Sequence, residues 1–95
     1  MVTKTILRFE VPIDDKWHKK QCPNREIKSV GNRDTGTVEF WVECVSSKEF
    51  VSREFQIFGT GHPIPLDAVY VGTAPRTNLG LVWHLYEREY GSEMR

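Results

Sequence analysis

Gly36-Thr37-Val38-Glu39-Phe40-Trp41-Val42-Glu43-Cys44-Val45 decides the fold of this chain. Val38, Phe40, Val42 and Cys44 alternate with Thr37, Glu39, Trp41 and Glu43. A period of two places one set on each face of a strand, so this is a half-buried strand with an apolar inner face. Just before it, Gly31-Asn32-Arg33-Asp34-Thr35-Gly36 has the polar, glycine-bounded chemistry of a hairpin connection to a strand at Glu26 to Val30. Further out, Thr5, Leu7, Phe9 and Val11 alternate with Lys4, Ile6, Arg8 and Glu10, and Pro12 stops the run. On the other side, Val45 to Glu49 reads as a second hairpin leading into Phe50 to Phe58. Arg53 interrupts the Val51, Phe55 and Ile57 face of that strand. Val69 to Val71 forms a short strand, and Leu79 to Glu87 carries apolar side chains on both faces, as a central or interface strand does. Asp14 or Asp15 caps a short helical turn through His18 and Lys19, which Pro23-Asn24 ends. About six short strands without intervening helices exclude parallel βαβ units. The expected fold is mainly β, an antiparallel meander closed as a small sandwich or an open barrel.

Ninety-five residues make one domain, residues 1–95, with 88–95 expected as a frayed polar tail. Apolar residues are 39% and charged residues 27%, the balance of a folded domain rather than a disordered one. Thirteen basic residues balance thirteen acidic ones, so there is no positive field for general nucleic-acid binding. No apolar run approaches the ~20 residues that span a bilayer, and the charged N-terminus is no signal peptide. The expected location is therefore the cytoplasm, where Cys22 and Cys44 remain thiols. Three Trp, three Tyr and five Phe are a heavy aromatic load for such a chain; they fill the small core, or some of them serve a subunit interface or a ligand pocket. The chain is expected to form a homo-oligomer, which adds buried surface to a thin core.

The loop Gly59-Thr60-Gly61-His62-Pro63 is the strongest site candidate. Two glycines let backbone N–H groups approach an anion, and Thr60 and His62 add side-chain donors. The competing reading is a demanding turn that needs its glycines only for φ. No Gly-Lys-Ser/Thr follows, so it is not a P-loop. Arg53, Arg76, Thr77 and Asn78 can supply charge and hydrogen bonds to a phosphate, or else serve as ion-pair and loop residues. Trp41 shares its face with Glu39 and Glu43, which leaves it partly exposed and able to stack on a base. Trp83 continues the Leu81 and Leu85 face and reads as core. His18-x3-Cys22 would bring two ligands together on a helical turn, but no CxxC pair supports a metal, and none is expected. Neither cysteine has a sequence-defined base, and the Asp14-Asp15 pair reads as a cap, so no catalytic residue and no cofactor is assigned.

The order Gly59-Thr60-Gly61-His62-Pro63-Ile64-Pro65, Tyr70-Val71-Gly72-Thr73, Leu81-Val82-Trp83-His84-Leu85-Tyr86-Glu87, after the opening Lys4-Thr5-Ile6 to Phe9-Glu10-Val11-Pro12-Ile13, resembles a family of small proteins encoded by tailed bacteriophages and prophages. The resemblance spans nearly the whole chain, and Asp15 to Asn24 departs from it. It implies a viral accessory protein that acts on host factors or immune signals, and it carries no catalytic residues. Fold and origin do not fix function. Together with the glycine loop, the resemblance leads to an expectation of anti-defence nucleotide binding. The protein would be a non-catalytic sponge for a small anionic nucleotide, cyclic or phosphorylated. The alternatives are a module that binds a host protein through aromatic surface and a structural oligomer of the phage.

Overall fold

The stretch read first is strand β4 (Thr37–Cys44), and Val38, Phe40 and Val42 on its inner face are fully buried. The structure, a computed structural model, describes residues 2–88. β1 (Thr5–Pro12) and β3 (Ile27–Asp34) flank β4 in the order β1-β4-β3. The second sheet has the order β2-β5-β7-β6, built from β2 (His18–Pro23), β5 (Phe50–Gly59), β6 (Ala68–Thr73) and β7 (Trp83–Arg88). Every pair is antiparallel. The two sheets face each other as an open sandwich. Between them lie Val11, Cys22, Val38, Phe40, Val42, Phe55, Ile57 and Leu85. Phe40 joins the layers, with its ring 5.3 Å from Phe9 of its own sheet and 4.7 Å from Phe55 of the other.

The antiparallel sandwich agrees with the period-two reading, and the connections depart from it in four places. Residues 18–23 form a seventh strand instead of ending a helical turn. Asp14 accepts hydrogen bonds from the Lys16 amide (3.1 Å) and from His18 Nε2 (2.8 Å), and Asp15 has φ 63°. This turn feeds His18 directly into pairing with Phe55. His18 and Cys22 therefore stand about 13 Å apart along an extended strand, not side by side on a helix. Gly31 to Asp34 continue β3, and the turn is only Thr35-Gly36, tied by the Gly36 amide to Asp34 Oδ1 at 2.9 Å.

The segment after β4 is not a hairpin. Ser47–Glu49 is a single 3-10 turn closed by a capping box between Ser46 and Glu49, and it carries the chain from one sheet to the other. Residues 79–82 are loop, and β7 starts at Trp83. Only β3–β4 and β6–β7 join neighbours in sequence, so the path is a meander only locally. Arg88 is the last residue of β7, and the rest of the expected frayed tail, 89–95, lies outside the described residues. No helix among the described residues is long and apolar enough to cross a membrane.

Two of these turns make stability depend on pH. The His18 hydrogen bond holds the Asp14 carboxyl below its ordinary value, helped by the Lys16 amide. Arg25 does the same for Glu49, helped by the Ser46 and Val45 amides. A depressed folded-state value stabilises the fold above the unfolded-state value and loses that contribution as pH falls. Tm is therefore expected to decline as pH drops through about 4. Glu49→Gln should flatten part of that decline, as read by thermal melts in matched buffers.

Candidate ligand-binding groove

Trp83 opens β7 opposite Gly59, the last residue of β5. Its carbonyl accepts the Ala74 amide at 2.9 Å, which extends the β6–β7 hairpin into the loop beyond. That loop closes on itself: the Thr77 amide donates to Leu81 O (2.8 Å), the Gly80 amide to Thr77 O (2.9 Å) and the Leu81 amide to Thr77 Oγ1 (3.0 Å). Gly80 sits at φ +81°, where a Cβ would be strained. The result is a closed tip that carries Arg76, Thr77 and Asn78 beside Trp83.

Two adjoining depressions share Trp83, Leu81 and Arg76. One, of about 330 Å³, lies against the β3–β4 turn and adds Asn32, Asp34, Thr77 and Asn78. The other, of about 370 Å³, lies against the glycine loop and adds Gly59, Thr60 and His62. The first is mainly apolar, with Leu79 and Leu81 exposed at its lip by 75% and 47%. The Arg76 guanidinium donates to Gly80 O at 3.1 Å and has no ion-pair partner among the described residues. A guanidinium has five donors, so most of its capacity remains for a ligand.

The glycine loop is built differently from the expected phosphate cradle. The Gly59 amide donates to His62 Nδ1 (3.2 Å), and the His62 amide donates back to Gly59 O (3.1 Å). These two amides are spent inside the turn, so they do not point at an anion. A Cβ on Gly59 would lie 2.9 Å from His62 Cε1 and 3.2 Å from Trp83 Cζ3. The glycine is thus required by the close approach of two rings. Gly61, at φ +89°, is required by conformation and does not line the groove. Gly59→Ala is expected to cost about 1–3 kcal/mol by overpacking, roughly 5–20 °C in Tm, measurable by calorimetry.

Two further candidates lie elsewhere. Arg53 makes a bidentate pair with Glu87 (2.6 and 2.8 Å) and donates to Pro23 O (2.7 Å) and Arg25 O (2.8 Å). Four of its five donors are engaged in these bonds, so it acts as a structural tie, and it lies away from the groove. Cys22 Sγ lies 3.8 Å from the same guanidinium. Burial pushes the Cys22 thiol up, and the Arg53 charge opposes this. Trp41 is on the outer face of the first sheet, across from the groove's inner-face floor. Its ring covers Gly31, where a Cβ would meet Cζ3 at 3.3 Å.

The sequence reading missed Asn32 and Asp34 as lining residues, because they read as turn. Asn32 Nδ2 donates to Pro75 O at 2.7 Å and ties the two sheets together. Its buried Oδ1 has no hydrogen-bond partner among the described residues. A polar chain centred on His84 runs along the outer face of the second sheet. Thr60 Oγ1 meets His84 Nε2 (2.8 Å), His84 Nδ1 meets Thr73 Oγ1 (2.9 Å), and Thr73 meets the Tyr70 hydroxyl (2.5 Å). It fixes Thr60 at the groove's rim.

A family model described as a domain of unknown function (DUF7352) matches residues 2–94. No curated protein and no solved structure matches the chain.

Proposed function

Because the chain belongs to the DUF7352 family, whose description assigns no activity, we propose its function from the groove alone: non-catalytic capture of a small, planar, anionic molecule of the nucleotide class. One observation carries this reading. Arg76, whose one hydrogen bond among the described residues goes to a loop carbonyl, borders both depressions together with Trp83. An indole flanked by leucines suits the face of a base, and a guanidinium fork suits phosphate oxygens. Thr77 and Asn78 lie beside Arg76 and can bond the sugar or the phosphate. Asp34 on the facing wall offers acceptors to base or sugar donors and opposes a high ligand charge. One Arg against one Asp favours a ligand with a single phosphate charge, such as a cyclic nucleotide, over a triphosphate.

The resemblance to phage-encoded proteins supports the wider role. As an accessory protein in the host cytoplasm, it would hold a nucleotide signal of host defence without transforming it. A second reading has one observation in its favour. The exposed Leu79 and Leu81 at the groove's lip suit docking on a host protein.

A thermal-shift screen against mono-, di- and cyclic nucleotides tests the proposal. At 100 times its dissociation constant a ligand adds about 2.7 kcal/mol, a rise of roughly 10–20 °C. The expected result is a large shift with one nucleotide, lost in Arg76→Ala and retained in Trp41→Ala. The nucleotide should be recovered unchanged after denaturation. No shift with any nucleotide contradicts the reading, and a chemically altered nucleotide contradicts its non-catalytic part.

A further inference from the structure

Three side chains that can donate hydrogen bonds line the second depression: Arg76, His62 and Thr60. Arg76 spends one N–H on Gly80 O at 3.1 Å. His62 Nδ1 accepts the Gly59 amide at 3.2 Å, so in the neutral ring the hydrogen sits on Nε2. That nitrogen has no hydrogen-bond partner among the described residues. The third donor is the Thr60 hydroxyl, and its availability depends on His84. Among the described residues no carboxylate lines this depression, whereas Asp34 lines the first. The two halves of the groove thus differ in charge.

Thr60 Oγ1 lies 2.8 Å from His84 Nε2, and His84 Nδ1 lies 2.9 Å from Thr73 Oγ1. A neutral imidazole has one N–H and one lone pair, so the hydrogens along this chain run in one direction or the other. With the hydrogen on Nδ1, Thr60 must donate its own to Nε2 and faces the groove only as an acceptor. With the hydrogen on Nε2, Thr60 accepts from His84 and keeps its O–H for a ligand. Tyr70 sets the direction, since its hydroxyl is 2.5 Å from Thr73 Oγ1. A phenol is the more acidic hydroxyl and the better donor, so Tyr70 donates to Thr73. Thr73 then donates to His84 Nδ1, and His84 Nε2–H donates to Thr60. Each bond polarises the next.

We propose that the second depression is a phosphate subsite, in which Thr60 O–H and His62 Nε2–H join the Arg76 guanidinium, and that Tyr70, Thr73 and His84 are positioning residues that make the Thr60 hydroxyl a donor. Hydroxyl, imidazole and guanidinium N–H groups all match phosphate oxygens, and the guanidinium supplies the charge. The side chains of the glycine turn thus do what its two spent amides cannot. The base and sugar attached to this phosphate rest on the nucleotide reading, whereas the subsite itself is a site for phosphate of any source. In a nucleotide, the phosphate would lie on the glycine-turn side of Trp83 and the base against Leu79 and Leu81 in the first depression.

Two measurements on the full chain test this, and the first needs no ligand. The nitrogen-15 signals of a neutral imidazole separate widely according to which nitrogen carries hydrogen, and a long-range proton–nitrogen spectrum at alkaline pH reads them. A hydrogen on Nε2 and a bare Nδ1 are expected in both His62 and His84. A hydrogen on Nδ1 of His84 overturns the positioning role. The second measurement titrates inorganic phosphate, with chloride at matched ionic strength as the control. The Thr60 amide and the Arg76 side chain should move with a common dissociation constant. Thr60→Val and Tyr70→Phe should each weaken it about 2–10-fold, the worth of one hydrogen bond. Tyr70 is 56% exposed and does not line the depression, so a loss in Tyr70→Phe reports the relay and not the packing. Unchanged phosphate affinity in Tyr70→Phe overturns the relay. Thr60 and Arg76 signals that phosphate leaves in place overturn the subsite, even where a nucleotide still raises Tm. Phosphate binding without any nucleotide shift upholds the subsite and contradicts the nucleotide reading instead.

Discussion

Phe40→Ala is expected to lower stability by about 3–5 kcal/mol, the range for truncating a buried Phe. For a domain of this size the total is about 5–14 kcal/mol, so the variant loses a large share of it. Phe40 is fully buried and in ring contact with both Phe9 and Phe55. It is thus a contact within one sheet and a contact between the two. The remaining core consists mostly of Val, Ile and Leu side chains held on strands, which cannot collapse far into the space a lost ring leaves. Urea titration followed by tryptophan fluorescence measures the loss as a fall in midpoint with unchanged slope. Phe40→Leu, which keeps most of the volume, should cost markedly less.

The second large effect is expected at Arg53. Arg53→Ala leaves Glu87, whose side chain is 23% exposed, without its bidentate partner, and deprives Pro23 O and Arg25 O of their donor. Removing one member of a buried pair costs about 3–5 kcal/mol. Partial exposure of Glu87 reduces this to about 2–3 kcal/mol, since water can solvate the orphaned carboxylate. Arg53→Lys should recover little of the loss, because an ammonium cannot reproduce the fork or reach two carbonyls beside the carboxylate. The nucleotide-induced shift in Tm should be the same in Arg53→Lys as in the parent chain, because Arg53 lies outside the groove. Loss of that shift would return Arg53 to the binding site.

What the sequence made legible follows from which forces were local. Alternation at residues 37–44 and 5–12 reports burial directly, and both strands stand where it placed them. β2 was illegible because Lys19, Lys20 and Gln21 lack alternation. Its strand state comes from backbone pairing with β5, a tertiary cause. Residues 79–82 misled in the opposite sense. Leu79 and Leu81 extend an apolar alternation, yet they are exposed at the groove's lip. The glycine loop and the Arg76 to Asn78 segment were legible as unusual loops, and the fold brings both to Trp83. Trp83 read as core, and it is partly buried against the core while also serving as the groove's floor. Arg53 looked anomalous on an apolar face for a sound reason. Its partner is Glu87, 34 positions away in sequence, and separation in sequence hides such a pair.

The three tryptophans occupy three different settings, and this permits a direct measurement of the central claim. Trp83 floors the groove, Trp41 covers Gly31, and Trp17 lies under Arg88 with 4.5 Å between the guanidinium and the ring. A proton–nitrogen correlation spectrum resolves one indole N–H signal for each. Titration with the nucleotide that raises Tm most should move the Trp83 indole and the Arg76 side-chain signal together, with a common dissociation constant. The Trp41 and Trp17 indoles should stay in place. Movement of the Trp41 indole with Trp83 unchanged would contradict the groove as the binding site, and a spectrum unchanged at millimolar nucleotide would contradict nucleotide capture itself.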